Sequence, residues 1–149
     1  MSSRIEQAAQ ALVTLLEADG SFDVMRNHDV PVDFVSETRP LLNVVDGPIS
    51  TVFADAVRAE HTVTLYLDGY VTAATSSALD LDALLAPVWA VVLGHPRLGA
   101  SEPYLSWDVQ VGEEISRELA AEAGKPVQSF RMPIAMRINT THADLTVAA

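Results

Sequence analysis

An alternation of apolar and polar residues near the C-terminus is the clearest pattern in the chain. It covers residues 127–139, with the sequence VQSFRMPIAMRIN. The apolar positions are every second residue, namely Phe130, Met132, Ile134, Met136 and Ile138. Alternate side chains of a strand point to opposite faces. The pattern therefore predicts a long strand with one face in a core.

A helical pattern opens the chain. Ser3 and Glu6 match a capping box at the start of residues 3–17, and Gly20 supplies a stop signal. The apolar residues recur at helical spacing, at Ile5, Ala8, Ala9, Leu12, Leu15 and Leu16. This spacing predicts an amphipathic helix with one buried face, most simply packed on a sheet.

A second helix is predicted from N-caps at residues 75–77 to about residue 93. Its apolar stripe consists of Leu81, Leu84, Leu85, Val88, Trp89 and Val92. Asp80 and Asp82 suit the positive end of the helix dipole. Pro87 is expected to kink the helix or split it in two.

Shorter strands are expected at residues 22–25, 41–45, 61–72 and 104–111. A turn at residues 46–48 should end the second of these, and residues 51–58 favour a strand over a helical turn. Residues 27–40 are predicted as a loop. The acidic segment 112–126 is predicted as a long connection between the last two strands, which should pair as an antiparallel hairpin.

Composition narrows the class of protein. The chain has 149 residues, of which 49% are hydrophobic and 19% charged, which favours a single globular domain. The net charge of −11 argues against a general nucleic-acid binder, because such proteins need a basic surface. There is no cysteine, no signal-peptide pattern and no apolar run of spanning length, so folding in a reducing cytoplasm is expected.

The sequence contains no recognised catalytic, metal-binding or phosphate-binding motif. No metal-ligand spacing relates the four histidines, which read as solvated or capping residues: His28, His61, His95 and His142. There is no nucleophile elbow and no phosphate-binding glycine loop. Trp89 and Trp107 lie on apolar stripes and are expected in the core. The sequence therefore predicts no catalytic residue, no cofactor and no metal.

Two arginines alternate with the core positions of the last strand. Arg131 and Arg137 should lie on the face opposite the core. An arginine there is usually solvated, but in an oligomer it can pair with a carboxylate of a neighbouring subunit. Both interpretations stay open on the sequence alone.

The order of these elements resembles a known family. The segments that carry the resemblance are RPLLNVVDG, HTVTLYLDGYVTA, SALDLDALLAPVWAVVL, the Pro-x-Leu at residues 96–98, and SFRMPIAMRI. Together they resemble the tail terminator proteins of long-tailed bacteriophages, of the lambda minor tail protein U type. The resemblance covers about residues 3–140 and includes no catalytic signature.

The resemblance implies an α+β fold, with a mixed, mainly antiparallel sheet and two or three helices packed on one face. It also implies a structural virion protein, assembled in the host cytoplasm, without enzymatic activity or cofactor. Such a protein forms a hexameric ring that caps the tail tube, stops its polymerisation and docks the head connector. DNA would pass through the lumen without specific binding, and we expect acidic residues there to repel phosphates.

Residues facing neighbouring subunits are expected in the segments 47–60 and 112–126 and on the exposed strand face. The candidate interface residues are Arg58, Glu113, Glu114, Arg117, Arg131 and Arg137. Alternative functions are a related head–tail connector or tail-completion protein, a small ligand-binding or enzymatic α/β domain, and a host-encoded interaction domain.

Overall fold

A computed structural model of the protein describes residues 3–27, 39–72, 81–98, 106–122 and 125–148. Two helices and six strands follow one another in the order α1 (Arg4–Asp19), β1 (Asp23–Arg26), β2 (Leu41–Phe53), β3 (Arg58–Thr72), α2 (Asp82–Gly94), β4 (Asp108–Val111), β5 (Ser116–Glu122) and β6 (Lys125–Thr141). The predicted helix start at 75–77 and most of the loop predicted for 27–40 lie outside the described residues.

The six strands form one mixed sheet with the order β1-β2-β3-β6-β4. β5 pairs with β6 beside β4, so the two short strands follow one another along the same side of β6. β1 and β2 are parallel, whereas every other neighbouring pair is antiparallel. This arrangement confirms the predicted α+β class with a mainly antiparallel sheet.

Both helices cover the same face of the sheet. The alternating residues of β6 that the sequence assigns to the core are all buried, and they share one cluster with buried residues of α1 and α2. Leu12 and Leu16 of α1 and Val88 of α2 are each almost fully enclosed. Full burial of such a side chain contributes about 1.5–3 kcal/mol, so each of these residues is a substantial source of stability.

The ends of α1 follow the predicted capping signals. The Ser3 hydroxyl accepts a hydrogen bond from the Glu6 backbone N–H at 3.1 Å, and Gly20 ends the helix with a φ of +78°. The Glu6 carboxylate binds Arg26 of β1, with 2.9 Å between Nη2 and Oε2. The side chain that a capping box would use locally therefore ties the helix to the sheet.

β2 does not end at residue 46 as predicted. It continues to Phe53, and the register with β3 shifts between Asp46 and Ile49. Gly47 lies in this irregularity, where an added Cβ would stand 2.8 Å from the Thr64 carbonyl oxygen. The predicted turn is thus a bulge, because the glycine lets the chain approach β3 closely while the strand continues.

The predicted long connection at 112–126 is also wrong. β5 occupies Ser116–Glu122 and pairs with β6 from Ser116–Arg131 to Glu122–Lys125. Only residues 123–124 separate β5 from β6. A run of Glu, Ala and Arg reads as loop or helix. Residues 116–119 of β5 are all exposed, and an edge strand that is uncovered in this way needs no alternating pattern.

Pro87 lies inside α2 without splitting it. Proline has no backbone N–H, so the helical hydrogen bond from residue 87 to the carbonyl of Ala83 is missing. Ala83 is exposed in the first turn, so water can satisfy that carbonyl. The predicted split is therefore absent, and the predicted kink stays a prediction.

Candidate interaction surfaces

The six predicted interface residues do not form one patch. Arg58 begins β3, where it pairs in register with Thr141, while Glu113 and Glu114 lie between β4 and β5. Arg117 lies on β5 opposite Phe130 of β6. All six are half-exposed or exposed, so each can reach a partner, but they divide between the start of β3, the side of the sheet formed by β4 and β5, and the exposed face of β6.

Arg131 is engaged within its own chain. It donates two hydrogen bonds to Asp68, with Nε–Oδ1 and Nη2–Oδ2 distances of 2.8 Å. Its guanidinium lies 4.7 Å from the centre of the Tyr66 ring. The hydrogen bond to Asp68 raises the pKa of Arg131 further. Its carboxylate partner is thus internal, and a contact with a neighbouring subunit stays a prediction.

Arg137 stacks over Trp107, with 4.6 Å between the guanidinium carbon and the ring centre. Trp107 is 42% exposed, so the prediction that it lies in the core is wrong. It precedes β4, and the buried Ser106 donates to the Asp108 carbonyl at 2.8 Å in a turn. This turn breaks the alternation on which the prediction relied.

A groove of about 440 Å³ lies along β3, β5 and β6, and its lining includes Asp68, Tyr70, Glu118 and Arg131. Asp68 and Arg131 already neutralise each other. Burial, followed by the nearby Asp68, raises the pKa of Tyr70, so its phenol stays protonated at neutral pH. The paired ions and the protonated phenol are poorly suited to act as a base or nucleophile, and Ser116, Glu118 and Ser129 also line the groove.

His61 is buried, contrary to the prediction of a solvated or capping residue. Its Nδ1 lies 2.8 Å from the Thr51 hydroxyl, and its Nε2 lies 2.8 Å from the Thr140 hydroxyl. Burial lowers the pKa of His61, which favours the neutral ring. His95 agrees with the capping interpretation, since its Nδ1 lies 2.8 Å from the Val91 carbonyl at the end of α2. No group of three or more His, Cys, Asp or Glu residues in the described ranges could hold a metal ion.

The turn between β2 and β3 exposes three large apolar side chains, which we name the hairpin tip. Its members are Val52, Phe53 and Val57, with exposed fractions of 61%, 65% and 62%. The Asp55 carboxylate holds the turn by accepting hydrogen bonds from the N–H groups of Val57 and Arg58, both at 2.8 Å. The tip is therefore an ordered apolar projection, and it falls within the segment 47–60 expected at an interface.

A second apolar surface lies on α2. Trp89 is 42% exposed, so its predicted core position is also wrong. Its ring lines a groove of about 360 Å³ with Leu85, Ala86 and Ile115, and Asp82 is the one charged residue in that lining. We name these four apolar residues the α2 groove. A stripe of apolar residues at helical spacing can thus face outward as well as inward, and the sequence pattern does not distinguish the two.

The sheet has two different open edges within the described ranges. β1 pairs with β2 only at Leu41–Val44, so no described strand pairs with the outer side of the second half of β2. On the other side of the sheet, no described strand pairs with the outer sides of β4 and β5. Unpaired strand edges present backbone donors and acceptors that can pair with another chain.

None of the helices in the described ranges is long and apolar enough to span a membrane. A scan against protein-family models gives no match, and a search of curated proteins gives none either.

Proposed function

We propose that this protein is a structural virion protein of the tail-terminator type. In this proposal, six copies form a ring on the head-proximal end of a phage tail tube. The ring stops polymerisation of the tube and offers a docking surface to the head connector. The proposal combines the resemblance of the sequence with the surfaces of the fold, and it assigns the protein no enzymatic activity.

The observation that carries the proposal is the pair of dissimilar open edges. One edge is the second half of β2 with the hairpin tip, and the other is formed by β4 and β5 beside α2. Two unlike surfaces on one chain associate head to tail, and such an arrangement closes into a ring when the rotation between copies permits. An isologous dimer would instead use one self-complementary surface.

The charged groups of the fold support a structural role. Arg131 is paired with Asp68, and Arg26 is paired with Glu6 and Asp46. His61 is held between two threonine hydroxyls. Each of these groups already has a hydrogen-bond or ion-pair partner in its own chain, whereas an active site needs titratable groups directed at a substrate.

The net charge of −11 fits a ring through which DNA passes. Carboxylates repel phosphates. An acidic surface also lacks the basic groups that would replace DNA counterions. Acidic residues facing the lumen would therefore let DNA leave the head without adhering to the ring.

Assembly of tail tubes in the presence and absence of this protein tests the proposal. The tube protein encoded by the same genome is polymerised, and electron microscopy measures tube length and the shape of the tube ends. We expect the protein to shorten the tubes and to add a ring at one end. Tubes of unchanged length with bare ends would contradict the proposal, and binding to the head connector alone would favour a connector role.

A further inference from the structure

The outer face of α2 is apolar. The exposed residues of this helix after Asp82 are Ala83, Ala86, Trp89, Ala90, Leu93 and Gly94. Asp82 is the one polar side chain in the helix. A helix that is apolar on all sides is normally buried, and a large exposed apolar patch usually marks an interaction site. The opposite side of α2 packs on the sheet through Leu84, Val88 and Val92, so it is the outer side that lacks a cover among the described residues.

The α2 groove is large enough for an aromatic side chain. Its volume is about 360 Å³. A protein cavity of roughly 150 Å³ can hold benzene, so this groove can take a phenylalanine ring together with a smaller neighbour. Its lining is apolar apart from Asp82, which favours an apolar occupant over a polar ligand.

The hairpin tip has matching apolar chemistry. Phe53 ends β2, the side chain of the preceding Val52 points to the opposite face of the strand, and Val57 lies across the turn. All three side chains are more than half exposed. The ring of Phe53 rests edge-on against His142, with 4.8 Å between ring centres, which orients it. An ordered apolar projection loses less conformational entropy on binding than a disordered one.

The two surfaces lie toward opposite edges of the sheet, counted across the order of the strands. The hairpin tip belongs to β2 and β3, whereas Ile115 of the α2 groove lies between β4 and β5, beyond β6. A tip on one side therefore cannot fill the groove of its own chain. It can fill the groove of a neighbour, and that neighbour's tip stays free for the next copy.

We propose that the hairpin tip of one copy seats in the α2 groove of the next copy. This inference deepens the proposed function and rests on it, because it names the contact that would join neighbouring subunits of the ring. Phe53 is the central residue of the convex side, and Trp89 is the central residue of the concave side.

A second copy fits better than a different protein for two reasons. Each chain carries one hairpin tip and one α2 groove, so head-to-tail contact between copies covers both in equal number. The exposed large side chains of the two surfaces supply on the order of 500 Å² of apolar area. A stable interface buries at least about 1,000 Å², of which roughly 60% is apolar, so the strand edges beside the two surfaces supply the remaining area.

Charge gives this contact a recognisable salt dependence. Each copy carries a net charge of −11, so copies repel one another at low ionic strength. Salt screens that repulsion and leaves apolar contact intact. We therefore expect association through the hairpin tip and the α2 groove to strengthen as salt is added, whereas contacts between opposite charges would weaken.

A mixing experiment with two variants tests the contact. Phe53→Asp disables the tip and keeps the groove, and Trp89→Glu disables the groove and keeps the tip. Sedimentation velocity measures the size of each protein alone and of their equimolar mixture, in low and high salt. Circular dichroism melts establish that both variants fold, which we expect because both positions are on the surface.

We expect the wild type to form oligomers that grow with protein concentration. Each variant alone should associate about thirtyfold more weakly or worse, as for a central aromatic residue of an interface. The mixture should form a one-to-one dimer and nothing larger, because one intact tip meets one intact groove. A monomeric wild type, unaffected variants or a mixture without dimers would each overturn the inference.

Leu145→Asp provides the matched control. Leu145 is an exposed apolar residue after β6, outside the hairpin tip, the α2 groove and the open strand edges, so this substitution also replaces a surface hydrophobic residue with aspartate. We expect oligomers of wild-type size from this variant. Loss of association in Leu145→Asp as well would mean that any added surface charge prevents contact, and the specific pairing would be wrong.

Fluorescence gives a second measurement of the same contact. The chain has two tryptophans, so Trp107→Phe leaves Trp89 as the only indole. We expect its emission to shift to shorter wavelength as concentration rises, and Phe53→Asp in the same background should remove that shift. If the protein caps tubes but the hairpin tip does not seat in the α2 groove, this inference is wrong and the proposed function stands. If the tip seats in the groove but the protein does not cap tubes, the contact is real and the proposed function is wrong.

Discussion

The two helices rest on the same face of one sheet, but they meet solvent very differently. The outer face of α1 carries Glu6, Gln10, Thr14 and Glu17, which are polar and exposed. The outer face of α2 carries alanines, Trp89 and Leu93. α1 has the polar outer face of a helix that needs no further partner, whereas α2 has a second apolar side. The comparison locates a partner site on a helix whose inward packing looks ordinary.

Shortening a buried leucine of α1 should have the largest effect on stability. Leu12 is fully enclosed, so Leu12→Ala removes buried methyl groups and leaves a cavity. We expect a loss of about 2–5 kcal/mol in the free energy of unfolding. Urea denaturation followed by circular dichroism measures it, at a concentration where the protein is monomeric.

Leu93→Ala on the outer face of α2 is the matched control. Leu93 is half-exposed in the single chain, so its replacement should change the free energy of unfolding by about 0.5 kcal/mol or less. Equal losses for Leu12→Ala and Leu93→Ala would mean that both faces of α2 are already buried in the monomer. The contrast between the helices would then be wrong.

Removing the charged link between α1 and the sheet should have an intermediate effect. Arg26 binds Glu6 of α1 and Asp46 of β2, with Nη2–Oδ1 at 3.1 Å for the second contact. Arg26→Met leaves both carboxylates without this partner. Because these ion pairs are partly exposed to solvent, we expect a loss of about 1–2 kcal/mol in the free energy of unfolding. Urea denaturation measures it.

Arg117→Met serves as the control for Arg26, because Arg117 lies exposed on β5. Its removal should change the free energy of unfolding by about 0.5 kcal/mol or less. A loss for Arg117→Met that equals the loss for Arg26→Met would show that the substitution itself, and not the link between helix and sheet, causes the effect.

The parts of the fold that the sequence predicts well are those whose pattern has one physical cause. The alternation from Phe130 to Ile138 and the capping of α1 by Ser3 depend on the local chain and on one buried face, and the structure confirms both. The class of the sheet follows from the resemblance. These features need no knowledge of which distant residues meet.

The errors occur where a distant contact decides the outcome. Gly47 looks like part of a turn, but its approach to Thr64 of β3 makes it a bulge within a strand. Residues of β5 become a strand because β6 offers an edge, and their own pattern gives no such signal. Trp89 has the spacing of a core residue, and only the position of α2 on the sheet determines that its ring faces outward.

Acidification should produce the smallest change, and it should act on α1 through Glu6. The hydrogen bond from Arg26 is the largest influence on this carboxyl and lowers the pKa of Glu6 below its ordinary value of 4.5. A carboxyl whose pKa is lower in the folded state stabilises the fold above the unfolded pKa, and this contribution is lost as pH falls through the folded pKa. The difference in unfolding free energy between the wild type and Glu6→Gln should therefore be constant above about pH 5 and shrink below pH 4.5. A difference that stays constant down to pH 3, measured by urea denaturation at each pH, would mean that the Glu6–Arg26 contact does not hold α1 in solution.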